Sequence, residues 1–377
     1  DLVSTSFLGF EERPEIRALC RQAIEKYGCG SCGPRGFYGT VDVHLELEQR
    51  FAAFMGTEAA ILYSFDIATP LSTIPAFCKA GDLIVMDGGC SFALRQAVEL
   101  SRSQVLTFRH NDAADLERVL AEVDAEASRK GRKKLKLRFI VIEGLYADSG
   151  DVAPLREIFD LAKEFKYRII MDESFSLGVL GRRGRGLSEE VGLEPRDIDI
   201  IVASLGNSLA SVGGVCMGTT AMNASSKLNS SGYVFSASLP PFLAVAAQAA
   251  IDKLDAEPER VAKIGSNARK MRRELGSISG VTVLGNSDRS PLIHLKIHAF
   301  KAGIDFLQKA INAAVQEGVL VDMAEYCVLE RSRPSATIRV TVGAGHSAKD
   351  VLKAATRLKA ALKRTISEVS LIDASPL

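Results

Sequence analysis

Polar residues that could bind a cofactor follow two apolar runs of the chain. The run YRIIMDES (167–174) carries Asp172 near its end, where a carboxylate could pair with a protonated ring nitrogen. The run DIDIIVAS (197–204) ends in Ser204 and leads into a turn of small residues and glycine at 205–214. Main-chain N–H groups of such a turn could face a phosphate. Neither signal is specific by itself, because Asp and Ser after a strand are commonly turn or capping residues.

The elements that must position these residues are strands of one sheet, as the apolar runs predict. Hydrophobicity in the runs is continuous rather than alternating, which is typical of strands buried on both faces of a parallel sheet. Helical patterns lie between them, among them 43–56 and 153–166. Alternating strands and helices predict an α/β fold with a large doubly wound domain. The apolar runs are 59–64, 82–88, 138–144, 167–174 and 197–204.

A change of pattern after Pro240-Pro241 predicts a second, smaller domain. Long helical stretches follow this pair of prolines, and later apolar runs at 291–297 and 336–342 lie among helices, as in an α+β domain. We predict an N-terminal segment over 1–33, a large domain over 34–256 and a small C-terminal domain over 257–377.

Composition and charge exclude several classes of protein. The 377 residues are 47% hydrophobic and 25% charged, and the formal net charge of +1 provides no general field for attracting nucleic acid. Seven cysteines with one close pair, Cys29 and Cys32, predict neither a disulfide framework nor a metal site, and they favour a reducing compartment. The basic stretch 129–138 could contact nucleic acid or lipid headgroups, but a solvated loop is the favoured interpretation.

Segments that could target or cross a membrane are not predicted. The charge-free runs 200–226 and 228–251 are long enough to span a bilayer, yet they are rich in Ser, Asn and Gly, which is typical of buried core and site backbone. The sequence opens at Asp1 without an initiator Met or a signal peptide, so it was cut from something longer or its start is not shown.

Seven motifs in order give a specific resemblance. On these motifs the chain resembles the α-oxoamine synthases, which are fold-type-I enzymes dependent on pyridoxal phosphate (PLP) that condense an amino acid with an acyl-CoA and release carbon dioxide. The resemblance implies the aspartate aminotransferase-like fold and places Asp172 and Ser204 at a cofactor site. His110 also matches a family position, where a structural role is the favoured interpretation. The motifs lie at 7–10, 27–48, 110–120, 140–155, 171–186, 204–214 and 235–241.

Departures from the family pattern are concentrated at that cofactor site. Asn207 stands where the family has the lysine that binds PLP as an imine, and an amide nitrogen cannot form an imine because its lone pair is delocalised. Cys90 replaces the histidine that stacks on the ring, Ser174 replaces the histidine after the Asp-Glu pair, and Phe65-Asp66 replaces a Gly-Tyr pair. We therefore expect this chain alone to be inactive. Its vestigial site would comprise Asp172, Ser204, Asn207, Cys90, His110 and Ser174.

Within this family, the lysine-free long-chain-base subunits of eukaryotic serine palmitoyltransferases fit the loss of the lysine, and the stretches 33–44 and 232–241 resemble theirs. The resemblance implies a heterodimeric acyltransferase whose lysine-bearing catalytic subunit holds the PLP. That complex converts L-serine and palmitoyl-CoA to 3-ketodihydrosphingosine, the first step of sphingolipid biosynthesis. It implies a location at the endoplasmic reticulum membrane with this part facing the cytosol. A small activating subunit, Orm-type regulators and a membrane helix outside this sequence are also implied.

Enzymes of this fold are dimers with active sites at the subunit interface, so one chain lends residues to its partner's site. Among the residues implied, Arg35 is the main candidate for direct contact with a ligand, since a guanidinium suits phosphates and carboxylates. Interface packing without ligand contact is the alternative for the whole set. The residues that the resemblance places beside the partner's cofactor and acyl-CoA are Cys32, Arg35, Gly36, Phe37, Tyr38, Gly39, Thr40, Tyr233, Phe235, Ser236 and Ser238.

Two other functions stay open at the level of sequence. The chain could be a scaffold or regulatory protein that touches no active site. It could also be an active homodimeric α-oxoamine synthase that uses another amine, although Cys90, Ser174 and Asp66 count against this.

Overall fold

A computed structural model describes residues 1–31, 33–130, 137–298, 303–324, 326 and 335–373. The chain divides into two compact units. The larger contains residues 9–146 and 153–258, and the smaller contains residues 1–8, 147–152 and 259–377.

The larger unit contains a seven-stranded sheet in the order β1-β7-β6-β5-β4-β2-β3. Strand β7 is antiparallel to both of its neighbours, and the pairs from β6 to β3 are all parallel. Each of the five predicted apolar runs forms a strand, and the fully buried residues of β2 and β6 explain their continuous hydrophobicity. The strands are β1 (Ala59–Tyr63), β2 (Leu83–Asp87), β3 (Gln104–Phe108), β4 (Arg138–Glu143), β5 (Arg168–Asp172), β6 (Ile200–Ser204) and β7 (Gly214–Gly218).

Ten helices of the described part of the larger unit surround this sheet. Helix α2 ends where Gly56 adopts a left-handed conformation with φ 72°, and α10 begins at Pro241, whose fixed φ suits the first turn of a helix. The helices are α1 (Pro14–Tyr27), α2 (Asp42–Met55), α3 (Ala68–Phe77), α4 (Phe92–Leu100), α5 (Ala113–Lys130), α6 (Leu155–Phe165), α7 (Leu187–Glu190), α8 (Thr220–Asn229), α9 (Ser231–Val234) and α10 (Pro241–Ala256).

The smaller unit is an α+β structure, as predicted. Its antiparallel sheet has the order β10-β11-β9-β8, and residues of this sheet and its helices form one hydrophobic core. The elements are α11 (Glu259–Leu275), β8 (Val281–Val283), β9 (Leu292–Ile297), α12 (Ile304–Gln316), β10 (Asp322–Met323), β11 (Ile338–Thr341) and α13 (Ala348–Asp373).

The compact units differ from the predicted domain ranges: residues 1–8 and 147–152 belong to the smaller unit, and residues 9–33 and 257–258 belong to the larger. Residues 9–33 group with the larger unit because α1 packs on α10. Residues 147–152 group with the smaller unit, where Asp151 accepts the main-chain N–H of Asn286 at 2.7 Å. The basic stretch lies partly at 131–136, outside the described residues. Within the described ranges, no helix has the length and apolarity needed to cross a bilayer.

Candidate functional site

The candidate site lies at one edge of the large sheet, where four neighbouring strands end in polar residues. Asp87, Glu143, Asp172 and Ser204 are the last residues of β2, β4, β5 and β6. Glu143 and Asp172 are paired in the strand register. Parallel strands end at the same edge, and this edge is where open α/β sheets bind ligands. The fold therefore brings together the residues that the sequence singled out after two separate runs.

Asp172 is buried, with 9% of its surface exposed. Its Oδ1 atom accepts the main-chain N–H of Ser174 at 2.7 Å. Burial, together with the smaller effect of the negative charge of Asp66, raises the pKa of Asp172 to about 6, although hydrogen bonds from Ser174 act in the opposite direction. No lysine or arginine of the described ranges forms an ion pair with this carboxyl group. A carboxyl group in this setting is suited to a cationic ring nitrogen, which would lower its pKa again.

Ser174, Ser204 and Asn207 form one hydrogen-bond network beside Asp172. The Oγ atom of Ser174 accepts the main-chain N–H of Ser204 at 2.9 Å. The carbonyl oxygen of Ser174 accepts a hydrogen bond from Nδ2 of Asn207 at 2.8 Å. Ser204 in turn accepts the N–H of Gly206 at 3.0 Å. At the position where the resemblance places the family's lysine, the structure has an amide that joins two loops of the same chain.

Cys90 lies in the segment between β2 and α4 and is fully buried. Its thiol lies 3.7 Å from the carbonyl oxygen of Val141, and burial holds the pKa of Cys90 well above its ordinary value. A protonated thiol in this position is not a nucleophile, and it presents no ring face on which a cofactor could stack.

His110 has an internal role in this edge of the sheet. Its Nδ1 atom lies 2.7 Å from Oδ1 of the buried Asp87, and its ring meets the ring of Tyr146 edge-on at 4.5 Å. A Cβ atom on Gly89 would overlap the His110 ring, so this close approach requires glycine. Sequence reasoning missed Asp87, Gly89 and Tyr146. The Asp-Gly-Gly sequence directly after an apolar run was the available signal for Asp87 and Gly89.

Asp66 occupies the start of α3. Its Oδ1 atom accepts the N–H of Ile67 at 2.7 Å, and its carbonyl oxygen accepts the N–H of Thr69 at 3.0 Å. The N-terminus of a helix attracts anions, and here the chain's own carboxylate already lies there. A phosphate at this helix start would meet a like charge.

These contacts test whether the chain fits PLP. Asp172 suits the pyridinium nitrogen. Asn207 cannot bind the aldehyde covalently, Cys90 offers no stacking ring, and Asp66 opposes the phosphate. The residues present do not fit PLP as a covalently held cofactor of this chain.

The residues expected at a partner's site come from two segments that pair with each other. Pro34 forms a β-bridge with Ala237, and the N–H of Ser238 donates to the carbonyl oxygen of Gly33 at 3.0 Å. The Ser238 hydroxyl donates to the carbonyl oxygen of Gly39 at 2.5 Å. A Cβ atom on Gly39 would overlap the carbonyl oxygen of Gly33, so the closure of this turn, 33–40, requires glycine.

Three aromatic side chains on these two segments are exposed. Phe37 is 70% exposed, Tyr38 is 98% exposed and Phe235 is 83% exposed. We refer to these three residues as the aromatic trio. Gly36 is also exposed, and Ser236, which follows Phe235 in the sequence, is half-buried. Large exposed aromatic side chains are typical of interaction surfaces.

Arg35, in contrast, is buried and faces its own chain. Its Nη1 atom lies 2.8 Å from Oε1 of Glu48, and its Nε atom donates to Oγ1 of Thr40 at 3.0 Å. The guanidinium carbon lies 5.4 Å from the centre of the Tyr233 ring. Cys32, the remaining predicted residue, lies outside the described residues.

Comparisons with known proteins agree with this fold. The family model for class I and II aminotransferases matches residues 2–358. The chain is 42% identical over 364 residues to long chain base biosynthesis protein 1 of Arabidopsis thaliana, covering 95% of this chain and 75% of that protein. It is also 42% identical over 361 residues to serine palmitoyltransferase 1 of Dictyostelium discoideum, covering 93% and 75%.

Solved structures include close structural matches. A serine palmitoyltransferase of S. paucimobilis, solved with a PLP–myriocin aldimine, superposes with a TM-score of 0.88 at 26% identity, covering 97% of this chain and 88% of that one. The Sphingomonas wittichii serine palmitoyltransferase gives a TM-score of 0.87 at 27% identity, covering 97% and 87%.

Proposed function

The chain belongs to the class I and II aminotransferase family, and from this premise we propose that it is the non-catalytic subunit of a serine palmitoyltransferase. It pairs with a lysine-bearing catalytic subunit that holds PLP. The pair condenses L-serine with palmitoyl-CoA to 3-ketodihydrosphingosine, the first step in the synthesis of sphingolipid long-chain bases. The names of the relatives at 42% identity, long chain base biosynthesis protein 1 and serine palmitoyltransferase 1, support this assignment.

The observation that carries the proposal is the environment of Asn207. Its side chain donates to the carbonyl oxygen of Ser174 and has no amine for an imine. The rest of the fold is intact, including the sheet and the buried Asp172. A subunit that supports its partner's reaction needs an intact fold but does not need a nucleophile of its own. This chain has the intact fold and lacks the nucleophile.

The contribution of this chain to its partner comes from the turn 33–40 and the segment 233–238. In a dimer of this fold the two sites lie at the subunit interface. The aromatic trio is available for that interface because its side chains are exposed in this chain. We propose that Tyr38 and its neighbours shape the space around the partner's cofactor and acyl-CoA and exclude water from it.

The proposal includes the setting of the complex. By resemblance, the complex lies at the endoplasmic reticulum membrane with this part facing the cytosol. Its membrane attachment comes from a segment outside this sequence. A small activating subunit and Orm-type regulators complete it.

Expression of the chain alone and together with a lysine-bearing relative tests the assignment. After borohydride reduction, mass spectrometry should find PLP attached to the relative and not to this chain, and only the pair should release carbon dioxide from serine and palmitoyl-CoA. Attachment of PLP to this chain, or turnover by this chain alone, would overturn the proposal.

A kinetic comparison separates this function from that of a scaffold. Tyr38→Ala should change kcat or KM of the assembled pair. Leu100→Ala, which truncates another exposed apolar residue at the end of α4, should leave both unchanged. Unaltered kinetics with Tyr38→Ala would favour a scaffold that touches no active site.

A further inference from the structure

A buried ion pair lies directly beneath the turn 33–40. The side chains of Arg35 and Glu48 are 4% and 8% exposed, and their charged atoms are 2.8 Å apart. Burying two charges has a desolvation penalty that their attraction often only balances, so a buried pair is weak evidence for a role in stability. The position of the pair, which links the turn to α2, is the more informative property.

Glu48 joins three elements through one carboxylate oxygen. It lies in α2, and its Oε1 atom accepts the main-chain N–H of Leu62 in β1 at 3.0 Å. The same oxygen faces Nη1 of Arg35. The Glu48 carboxylate therefore accepts a hydrogen bond from strand β1 and forms an ion pair with Arg35 of the turn.

Arg35 transmits this constraint to the turn itself. Its Nε atom donates to Oγ1 of Thr40, and the Thr40 hydroxyl donates back to the carbonyl oxygen of Arg35 at 2.6 Å. The guanidinium lies over the ring of Tyr233, in the second segment of the interface. Its Nη1 and Nη2 atoms are both buried, and neither makes a hydrogen bond to a residue that the structure describes, so Nη1 meets Glu48 as an ion pair and not through an aligned hydrogen bond. The Arg35 guanidinium is therefore buried between Thr40, Tyr233 and Glu48, and it is not exposed to solvent.

The residues at the tip of the turn have no such support of their own. Phe37 and Tyr38 are exposed, and their main chain is held by the N–H of Phe37 and that of Gly39, which both donate to the carbonyl oxygen of Pro34 at 3.0 Å. Ser238 also ties Gly33 and Gly39 to the second segment, whereas Arg35 is the residue of the turn that contacts Glu48 of α2.

We infer that Glu48 is a positioning residue, whose buried carboxylate fixes Arg35 and thereby the direction in which Phe37 and Tyr38 project toward the partner subunit's reaction site. The inference rests on the proposed function and deepens it. It assigns Arg35 to the support of the turn in place of direct contact with a phosphate or carboxylate of a ligand.

The test uses the full chain assembled with its lysine-bearing partner. Glu48→Gln keeps the shape of the side chain and an acceptor for Leu62 but removes the charge that holds Arg35. We expect kcat for serine and palmitoyl-CoA to fall roughly tenfold, since small displacements around a reacting centre slow reactions strongly. The amount of assembled complex and the KM for serine should stay unchanged. Glu46→Gln, on the exposed face of the same helix, is the matched control and should keep the wild-type kcat.

A double-mutant cycle distinguishes positioning from loss of packing. If Glu48 acts through Arg35, the double variant Glu48→Gln with Arg35→Gln should lose no more activity than Arg35→Gln alone. Additive losses, or a Glu48→Gln complex as active as the Glu46→Gln complex, would overturn the inference. If Glu48→Gln does not fold, Glu48→Asp replaces it, because the shorter side chain keeps the charge but withdraws it from Arg35 and should lower kcat in the same way. A wild-type pair without turnover would instead refute the proposed function itself.

Discussion

Nδ2 of Asn207 donates a hydrogen bond to the carbonyl oxygen of Ser174 over 2.8 Å. Ser174 also accepts the N–H of Ser204 on its hydroxyl, so Asn207 and Ser204 both bind Ser174. A lysine in this position would need its amine free to react with an aldehyde. The asparagine serves the opposite purpose, because it joins the loops that follow β5 and β6.

Restoring the lysine alone should not restore covalent cofactor binding. In Asn207→Lys the phosphate would still meet Asp66 at the start of α3, and Cys90 would still offer no stacking ring. We expect borohydride reduction and mass spectrometry of the isolated variant to find no more PLP than in Asn229→Lys, which adds a lysine at an exposed position of α8. Stoichiometric labelling at position 207 would show that the other departures are tolerated.

Replacing Asp172 by asparagine should stabilise the isolated chain at neutral pH. Burial raises the pKa of Asp172 from 3.8 to about 6, so its contribution to stability is fully present below about pH 4 and is lost as the pH rises through about 6. The asparagine side chain carries no charge and avoids this loss. The free energy of unfolding in urea should be about 3 kcal/mol higher for Asp172→Asn than for wild type at pH 7.5, and equal at pH 4.

The control for this pH dependence is Asp160→Asn, which removes an exposed carboxylate of α6. Its unfolding free energy should follow that of wild type at both pH values. A variant of Asp172 that is less stable than wild type at pH 7.5 would mean that a cation pairs with this carboxylate in solution.

Adding one methyl group at Gly89 should destabilise the edge of the sheet. The Cβ atom of alanine would overlap the ring of His110, which cannot move away because Asp87 and Tyr146 hold it. Overpacking of this kind costs roughly 1–3 kcal/mol. Thermal denaturation should show this loss for Gly89→Ala. Gly30→Ala, where nothing lies within 4 Å of the new methyl group, should show no loss. Equal melting temperatures would mean that the His110 ring is free to move.

The sequence predicted the parts of the fold that have a continuous apolar signal. Strand β7 was missed because glycines at both ends, Gly214 and Gly218, shorten its apolar run. Strand β3 was missed because it is an edge strand, and residues such as Gln104 and Val105 are exposed. The doubly wound large domain and the α+β small domain were both predicted correctly.

At the site, the sequence predicted residues that follow strands but not their distant supports. Asp172, Ser174, Ser204 and Asn207 lie together as expected. Glu48 was missed, because an acid in the pattern HLELE of an amphipathic helix resembles a solvated residue until β1 and the turn 33–40 are folded against it. Arg35 was predicted because a guanidinium can bind phosphates and carboxylates. The sequence could not show that its side chain points toward Glu48 of its own chain.

Under the proposed function, the amide at position 207 makes each reaction centre depend on two different polypeptides. Surplus copies of either one then yield no additional product, and output follows the scarcer chain. The balance between the expression levels of the two genes therefore limits how fast sphingolipid precursors are made.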